Sequence, residues 1–138
     1  MQPYSKIIQT AGLIVIKEGR LLLAYSRHKK AWYLPGGKLG PEETSLEALI
    51  REIKEELSVK LKPEDIKTYY HISAPAYGEP DTLMEQHCFL GPSHLDYKAS
   101  QEISAIQYFN KATYLNQQPI VPGVITAFDK LIQDGYLS

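Results

Sequence analysis

Three glutamates on one short stretch are the residues of this sequence best suited to chemistry. Glu52, Glu55 and Glu56 lie within the segment LEALIREIKEEL. On an α-helix, with about 100° between successive residues, their side chains fall within an arc of roughly 100°. Like charges at this spacing repel one another, and a divalent cation relieves that repulsion. The stretch therefore predicts either a site for Mg²⁺ or Mn²⁺, which favour carboxylate oxygens, or an ordinary acidic face in solvent.

A glycine pair precedes these carboxylates in the chain. Pro35-Gly36-Gly37 predicts a turn, because glycine allows backbone conformations and close approaches that other residues do not. A turn of bare backbone that faces a carboxylate cluster would offer carbonyl and amide groups to a metal and a phosphate chain. The glycine pair therefore favours the metal-site interpretation over the solvated acidic face.

The spacing of these residues resembles the box of the Nudix hydrolases, the MutT-like family with the pattern G-x5-E-x7-R-E-U-x-E-E-x-G-U, where U is a bulky aliphatic residue. Gly37 is followed after five residues by Glu43, and seven further residues lead to Arg51. The remaining fixed positions match through Val59, with one departure at the last glycine, which is Ser58. A serine where a glycine would end the helix in a left-handed conformation costs on the order of 1 kcal/mol and removes no ligand.

The resemblance implies a role for each matching residue. Glu52, Glu55, Glu56 and the carbonyl of Gly37 would hold the metal, which we expect to be Mg²⁺, with Mn²⁺ as the alternative. Arg51 would orient the glutamates, since it lies four residues before Glu55. Glu43 would stabilise the loop before the helix and take no part in the chemistry.

Members of the family often draw one more carboxylate from a later loop, as a base or a ligand. Glu102, which precedes a short strand, resembles that position best, and Glu85 is its rival. Glu85 lies on an alternating strand, where an outward-facing position is the simpler interpretation. The general base is then Glu55 or Glu102.

The reaction that the resemblance implies is hydrolysis of a nucleoside diphosphate linked to a further group. A bound metal would neutralise the diphosphate and activate the attacking water. We favour a nucleoside triphosphate, oxidised or not, that yields a nucleoside monophosphate and pyrophosphate, because the chain is short and has no added domain. ADP-ribose, another nucleotide sugar and a dinucleotide polyphosphate stay open. Two further alternatives are a non-catalytic nucleotide or ADP-ribose sensor and a plain structural domain.

Candidate substrate contacts lie outside the box. Arg27 and Lys29, in a short basic cluster, could meet the phosphates or could be solvated loop residues. Tyr77, in a loop, is the best aromatic candidate to stack on a base, a contact of about 1–3 kcal/mol in single-strand binders. Tyr70 is a further aromatic candidate, and Trp32 and Tyr33 are better explained as packing residues.

The elements that must position these residues follow from periodicity. The sequence predicts a hairpin from residues 7–16 and 21–25 that turns at Gly19, a helix capped by Thr44 and Glu47, and a closing helix that ends at Gly135. Strands are expected over 66–74, 82–90 and 103–109. This order predicts an α/β fold that forms one domain over residues 1–138. The fold expected is a Nudix-type α/β/α sandwich, a mixed sheet with helices on both faces.

Composition limits the partners and the location. The 138 residues carry a net charge of −1, which argues against binding long nucleic acid but not a single nucleotide. The single cysteine, Cys88, excludes an internal disulfide and is expected to be buried, and no apolar run is long enough for a membrane span. We therefore expect a cytoplasmic protein with no membrane partner. The oligomeric state is not fixed, although a homodimer is the commonest closed assembly.

Overall fold

The computed structural model describes residues 4–138, so the first three residues of the predicted domain lie outside the described part of the chain. The strands are β1 (Lys6–Ile14), β2 (Ile16–Lys17), β3 (Arg20–Ser26), β4 (Ala31–Tyr33), β5 (Gly36–Lys38), β6 (Lys67–Pro75), β7 (Thr82–Leu90) and β8 (Ile103–Phe109). The helices are α1 (Ser45–Leu57), α2 (Lys111–Tyr114) and α3 (Pro122–Gln133), and a short 3-10 turn covers Pro63–Asp65.

The first sheet is mixed and has the strand order β5-β1-β7-β6. Strand β1 runs parallel to β7 over its whole length, from the pair Lys6 and Thr82 to the pair Ile14 and Leu90. Its other edge pairs antiparallel with β5. The predicted hairpin over residues 7–25 is therefore wrong for β1, because both edges of that strand are already hydrogen-bonded within this sheet.

The second sheet is antiparallel and is built on β3. The hairpin that turns at Gly19 joins β3 to the two-residue strand β2, and Gly19 has the positive φ of 73° that its turn requires. Strands β4 and β8 also pair with β3. The sequence did not predict this division into two sheets, since strand partners far apart in the chain leave no local signal.

Helix α1 forms where the sequence predicts it. The Thr44 side chain accepts a hydrogen bond from the Glu47 amide, and the Glu47 side chain accepts one from the Thr44 amide, so the capping box is complete. The buried face of the helix carries Leu49, Ile53 and Leu57, and it packs against Ala11, Leu13 and Val15 of the first sheet and its edge. At the C-cap, Ser58 is left-handed with a φ of 59°, the conformation expected of the glycine that it replaces.

Helix α3 covers the other face of the first sheet. Its buried residues Val124, Phe128 and Leu131 share a core with Ile72 and Cys88 of β6 and β7. The two helices thus lie on opposite faces of the mixed sheet, which confirms the predicted sandwich. Cys88 is free and buried, also as predicted.

Two local predictions differ from the structure. Gly36 and Gly37 do not form a turn but belong to the short strand β5, where Gly36 has a φ of 138°. The reason is close approach, since a Cβ on Gly36 would lie 1.9 Å from the carbonyl oxygen of Ala11 on β1. Helix α2, capped by Asn110, falls in a segment for which no helix was predicted, and its four residues are too few to show a period.

Candidate active site

The short strand β5 lies directly against the acidic face of α1. The Gly36 amide donates a hydrogen bond to Oε1 of Glu56 at 3.0 Å. Gly37 faces Glu52 so closely that a Cβ on this residue would lie 2.5 Å from the Glu52 carboxyl carbon. The pair of glycines therefore lets two of the three carboxylates of the helix reach the strand backbone.

Arg51 joins the helix to the loop that precedes it. Its Nε and Nη2 donate to the two Glu43 oxygens at 2.8 and 2.9 Å, a bidentate pair. Its Nη1 donates to Glu52 at 2.7 Å and lies 3.6 Å from Glu55, while Nη2 also donates to the Lys38 carbonyl oxygen at 3.1 Å. Arg51 thus orients Glu52 more directly than Glu55, and Glu43 holds the loop to the helix.

Glu56 is the most deeply placed of the helix carboxyls. Burial raises its pKa to about 8, the Gly36 amide opposes that shift, and the charges of Glu52, Glu55 and Glu102 add to it. Burial also raises the pKa of Glu52, against the effect of Arg51. Burial therefore disfavours the ionised form of these carboxyls, and a bound cation would favour it.

The donor set suits a hard divalent cation. Glu52, Glu55 and Glu56 offer carboxylate oxygens on adjacent turns, and the missing side chain of Gly37 leaves the space that Glu52 enters. Within residues 4–138, no three acidic, histidine or cysteine side chains converge as a ready-made metal cluster. Glu52 and Glu56 instead make hydrogen bonds with Arg51 and with the Gly36 amide.

The two later carboxylates occupy different places. Glu102 accepts hydrogen bonds from the His28 amide and, at 3.2 Å, from the Ser26 hydroxyl, and its charge reaches Glu56. Glu85 contacts His71 and accepts a hydrogen bond from Ser73 at 2.7 Å. Because its strand neighbours Met84 and Gln86 line the cleft, Glu85 lies on the opposite face of the sheet, the outward position expected of an alternating strand.

An open cleft lies beside the glycines and Glu56. It is lined by strands of both sheets, β4 and β5 among them, and by the loop between β6 and β7. Lys29 and Tyr77, two of the predicted substrate contacts, line it, and the third, Arg27, does not. Arg27 is exposed, and its amide donates to the Glu102 carbonyl oxygen at 2.9 Å.

The aromatic candidates also separate. Trp32 packs edge-on against Tyr25 and Phe109, at ring distances of 5.3 and 5.0 Å. Tyr33 lines the cleft with Tyr77, and their rings lie 6.5 Å apart. Tyr70 lies outside the cleft, with the Lys130 ammonium over its ring.

Five further polar residues line the cleft that sequence reasoning did not single out: Thr10, Ser26, Lys38, Glu79 and Gln86. Lys38 directly follows Gly37, so its place in the box could have marked it. Gln86 is a buried polar residue on a strand, which is visible only once the sheet is known. Glu79 could not have been found locally, because its partners Lys29 and Lys38 lie some 40 to 50 residues earlier in the sequence.

Comparison with known proteins bears directly on this arrangement. A family model described as a NUDIX domain matches residues 6–127. The chain belongs to the Nudix family. The Nudix match extends well beyond the box Gly37–Val59 and takes in both sheets, α1 and the first half of α3.

Individual relatives of this Nudix chain agree with that assignment. A CTP pyrophosphohydrolase of Escherichia coli (strain K12) is 36% identical over 59 residues, which is 40% of this chain and 44% of the relative. The chain spans less than half the length of this and two other curated relatives that it matches.

Solved structures agree on the fold. The MutT protein of Methanosarcina mazei Go1 superposes with a TM-score of 0.74 at 20% identity, covering 94% of this chain and 95% of that one. The ORF135 protein of E. coli gives 0.71 at 23% identity, covering 93% and 90%. In the described part of this Nudix chain, no helix combines the length and apolar character that crossing a membrane requires.

Proposed function

We propose that this Nudix chain is a metal-dependent pyrophosphohydrolase that cleaves a nucleoside triphosphate to a nucleoside monophosphate and pyrophosphate. The observation that supports it most strongly is the meeting of the α1 carboxylates with the Gly36-Gly37 backbone at the wall of a cleft that also presents Lys29 and Lys38. Carboxylates suit a cation and lysines suit phosphates, so the cleft offers both kinds of contact that a polyphosphate requires.

Each residue of the candidate site has a proposed role. Glu52, Glu55, Glu56 and the Gly37 carbonyl hold Mg²⁺ or Mn²⁺, whose chemistry is to neutralise phosphate charge and activate water. Arg51 keeps Glu52 oriented, since it donates to that carboxylate and is itself fixed by Glu43. Lys29 and Lys38 bind the phosphates, and Tyr77 contacts the base.

Glu55 and Glu102 remain the two candidates for the base that takes the proton of the attacking water. Glu102 has one oxygen engaged by the His28 amide and the Ser26 hydroxyl, whereas among residues 4–138 Glu55 has only the long ion pair with Arg51. These contacts favour Glu55. Loss of a general base is expected to lower kcat by about 10²–10⁴-fold. The kcat values of Glu55→Gln and Glu102→Gln therefore show which glutamate is the base.

The nucleoside triphosphate is favoured over the other Nudix substrates because the relative from E. coli is a CTP pyrophosphohydrolase. The test is a panel of CTP, the other nucleoside triphosphates, 8-oxo-dGTP, ADP-ribose, a nucleotide sugar and a dinucleotide polyphosphate, with Mg²⁺ or Mn²⁺ and with EDTA. We expect metal-dependent release of pyrophosphate, greatest from a triphosphate.

Matched variants complete the test. Glu55→Gln and Glu56→Gln should lose most turnover, while Glu64→Gln, an exposed residue of the 3-10 turn, should retain it. Absence of any phosphate-containing product across the whole panel would refute the proposed pyrophosphohydrolase activity. Metal-independent ADP-ribose binding in the same preparation would instead support a sensor.

A further inference from the structure

One carboxylate bridges two lysines in the lining of the cleft. Oε2 of Glu79 lies 3.2 Å from the ammonium of Lys29, and Oε1 lies 3.2 Å from that of Lys38. The three residues come from separate elements: the loop after β3, the strand β5, and the loop between β6 and β7. All three line the cleft beside Gly36, Gly37 and Glu56.

The bridge ties a loop to the site. Lys29 also donates to the Tyr77 carbonyl oxygen at 3.4 Å, and its ammonium lies 5.9 Å from the centre of the Tyr33 ring. Burial alone would raise the pKa of Glu79, but hydrogen bonds from Lys38 and Lys29 hold it below its ordinary value. Glu79 is therefore an anion held between two cations, and the Tyr77 loop is fixed in place through it.

A phosphate group would compete for the same two cations. The lysines remain partly accessible, with 33% of the Lys29 side chain and 58% of the Lys38 side chain exposed, whereas Glu79 is 22% exposed. A pair of lysines with one carboxylate between them presents the charge pattern that an oxyanion of a polyphosphate would meet. The carboxylate thus occupies the position in which such an oxyanion would be bound.

We propose that Glu79 is an internal competitor for the substrate polyphosphate, so that binding of the polyphosphate displaces the Glu79 carboxylate from Lys29 and Lys38. This inference rests on the proposed function for the identity of the substrate, but not for the binding site itself. It assigns to Glu79 a positioning role that sets affinity, and it defines Lys29 and Lys38 as one phosphate subsite.

The direct test measures binding without catalysis. Inorganic tripolyphosphate is titrated into the protein by calorimetry in EDTA, so that only the side chains of the chain contribute. Glu79→Gln should bind about fivefold tighter than the wild type, the change that loss of two partly exposed ion pairs corresponds to. Glu64→Gln is the matched control, and its affinity should equal that of the wild type.

The lysine variants make the assignment specific. Adding Lys29→Gln or Lys38→Gln to Glu79→Gln should remove the gain in affinity, and Lys38→Gln alone should weaken binding. Lys38→Gln also tests the subsite if Glu79→Gln does not fold, since Lys38 is the most exposed member of the bridge. If folded Glu79→Gln binds tripolyphosphate equally or more weakly than the wild type, the competitor role of Glu79 is refuted. If Lys38→Gln binds it as tightly as the wild type, the phosphate subsite is refuted.

Activity then separates the two proposals. If the nucleotide panel gives turnover, Glu79→Gln should lower KM for the triphosphate more than it changes kcat, as expected of a residue that competes only with substrate binding. If the panel gives no turnover but tripolyphosphate binds tighter to Glu79→Gln, the proposed function fails and the competitor stands. If the panel gives turnover but Glu79→Gln has an unchanged or higher KM, the proposed function stands and the competitor role of Glu79 is refuted.

Discussion

At the scale of single residues, the site depends on side chains whose charge is fixed by their neighbours. The Glu43 carboxylate receives two hydrogen bonds from Arg51 and a third, at 2.7 Å, from the Gly40 amide. Arg51 also donates hydrogen bonds to the Glu52 carboxylate and to the Lys38 carbonyl oxygen. The Arg51–Glu43 pair therefore fixes the Glu52 carboxylate, which agrees with the supporting role that the family resemblance implies for Glu43.

The ion pair between Arg51 and Glu43 should make folding stability depend on pH. Hydrogen bonds from Arg51 lower the pKa of Glu43 to about 2, from an ordinary value of 4.5. A group with a lowered folded pKa stabilises the protein fully above its unfolded pKa, and that stabilisation is lost as the pH falls toward the folded pKa. The difference in unfolding free energy between the wild type and Glu43→Gln should thus be largest near pH 6 and shrink between about pH 4.5 and 2.

Urea unfolding at a series of pH values measures this difference. Thr44→Ala is the neighbouring control, because it removes a helix cap without removing an ionisable group, and it should cost about 1 kcal/mol at every pH. A Glu43→Gln deficit that stays constant down to pH 2 would contradict the proposed linkage.

At the scale of elements, β5 and α1 form the site because two adjacent glycines serve different purposes. Gly36 lets β5 approach β1, and a side chain there would meet the backbone of Ala11. Gly37 lets α1 approach β5, and a Cβ there would lie closest to the end of the Glu52 side chain, which is flexible and can move. The first glycine supports the fold and the second supports the site.

Alanine substitutions should separate these purposes. Gly36→Ala places a side chain on a backbone with a φ of 138° and should cost at least about 1–3 kcal/mol of unfolding free energy. Gly37→Ala should remain folded but displace the Glu52 carboxylate. A displacement of about 1 Å in a catalytic site lowers kcat about a hundredfold. Thermal unfolding and triphosphate turnover measure the two effects, and a fully active Gly37→Ala would contradict the assigned role of Gly37.

The elements also show how far the sequence alone can lead. The bounds of β7 and β8, the capping box of α1 and the left-handed position at Ser58 all follow from local patterns, so they could be predicted. The parallel pairing of β1 with β7 and the bridge from Glu79 to Lys29 and Lys38 could not, because they join residues far apart in the chain. The box residues were found because their spacing is local, whereas the cleft opposite them was not.

At the scale of the whole molecule, the cleft is shared between the two sheets. The first sheet contributes Ile8 and Gln86, and the second contributes Ala24 and Ser26. A ligand held between them would contact the folded protein only, since the two walls separate when the chain unfolds. Binding should therefore add to the free energy of unfolding by mass action.

Ligand-linked stability can be measured without turnover in the Glu55→Gln variant. At a triphosphate concentration of about 100 times Kd, the unfolding free energy should rise by about 2.7 kcal/mol. Adenosine, which lacks phosphates, is the control and should produce a much smaller shift. Equal stabilisation by the two compounds would show that the phosphates are not bound, and this would contradict the phosphate role given to Lys29 and Lys38.

The parallel pairing of β1 with β7 also bears on how the protein is made. The box helix α1 ends at Leu57, but β1, against which it packs, does not gain its parallel partner until Leu90 has been added. At roughly 5–20 residues per second, a ribosome adds that partner a few seconds after the helix. During this interval the apolar face of α1 rests on an unfinished sheet, so we expect the nascent chain to be most exposed to proteases and chaperones just before β7 completes the first sheet.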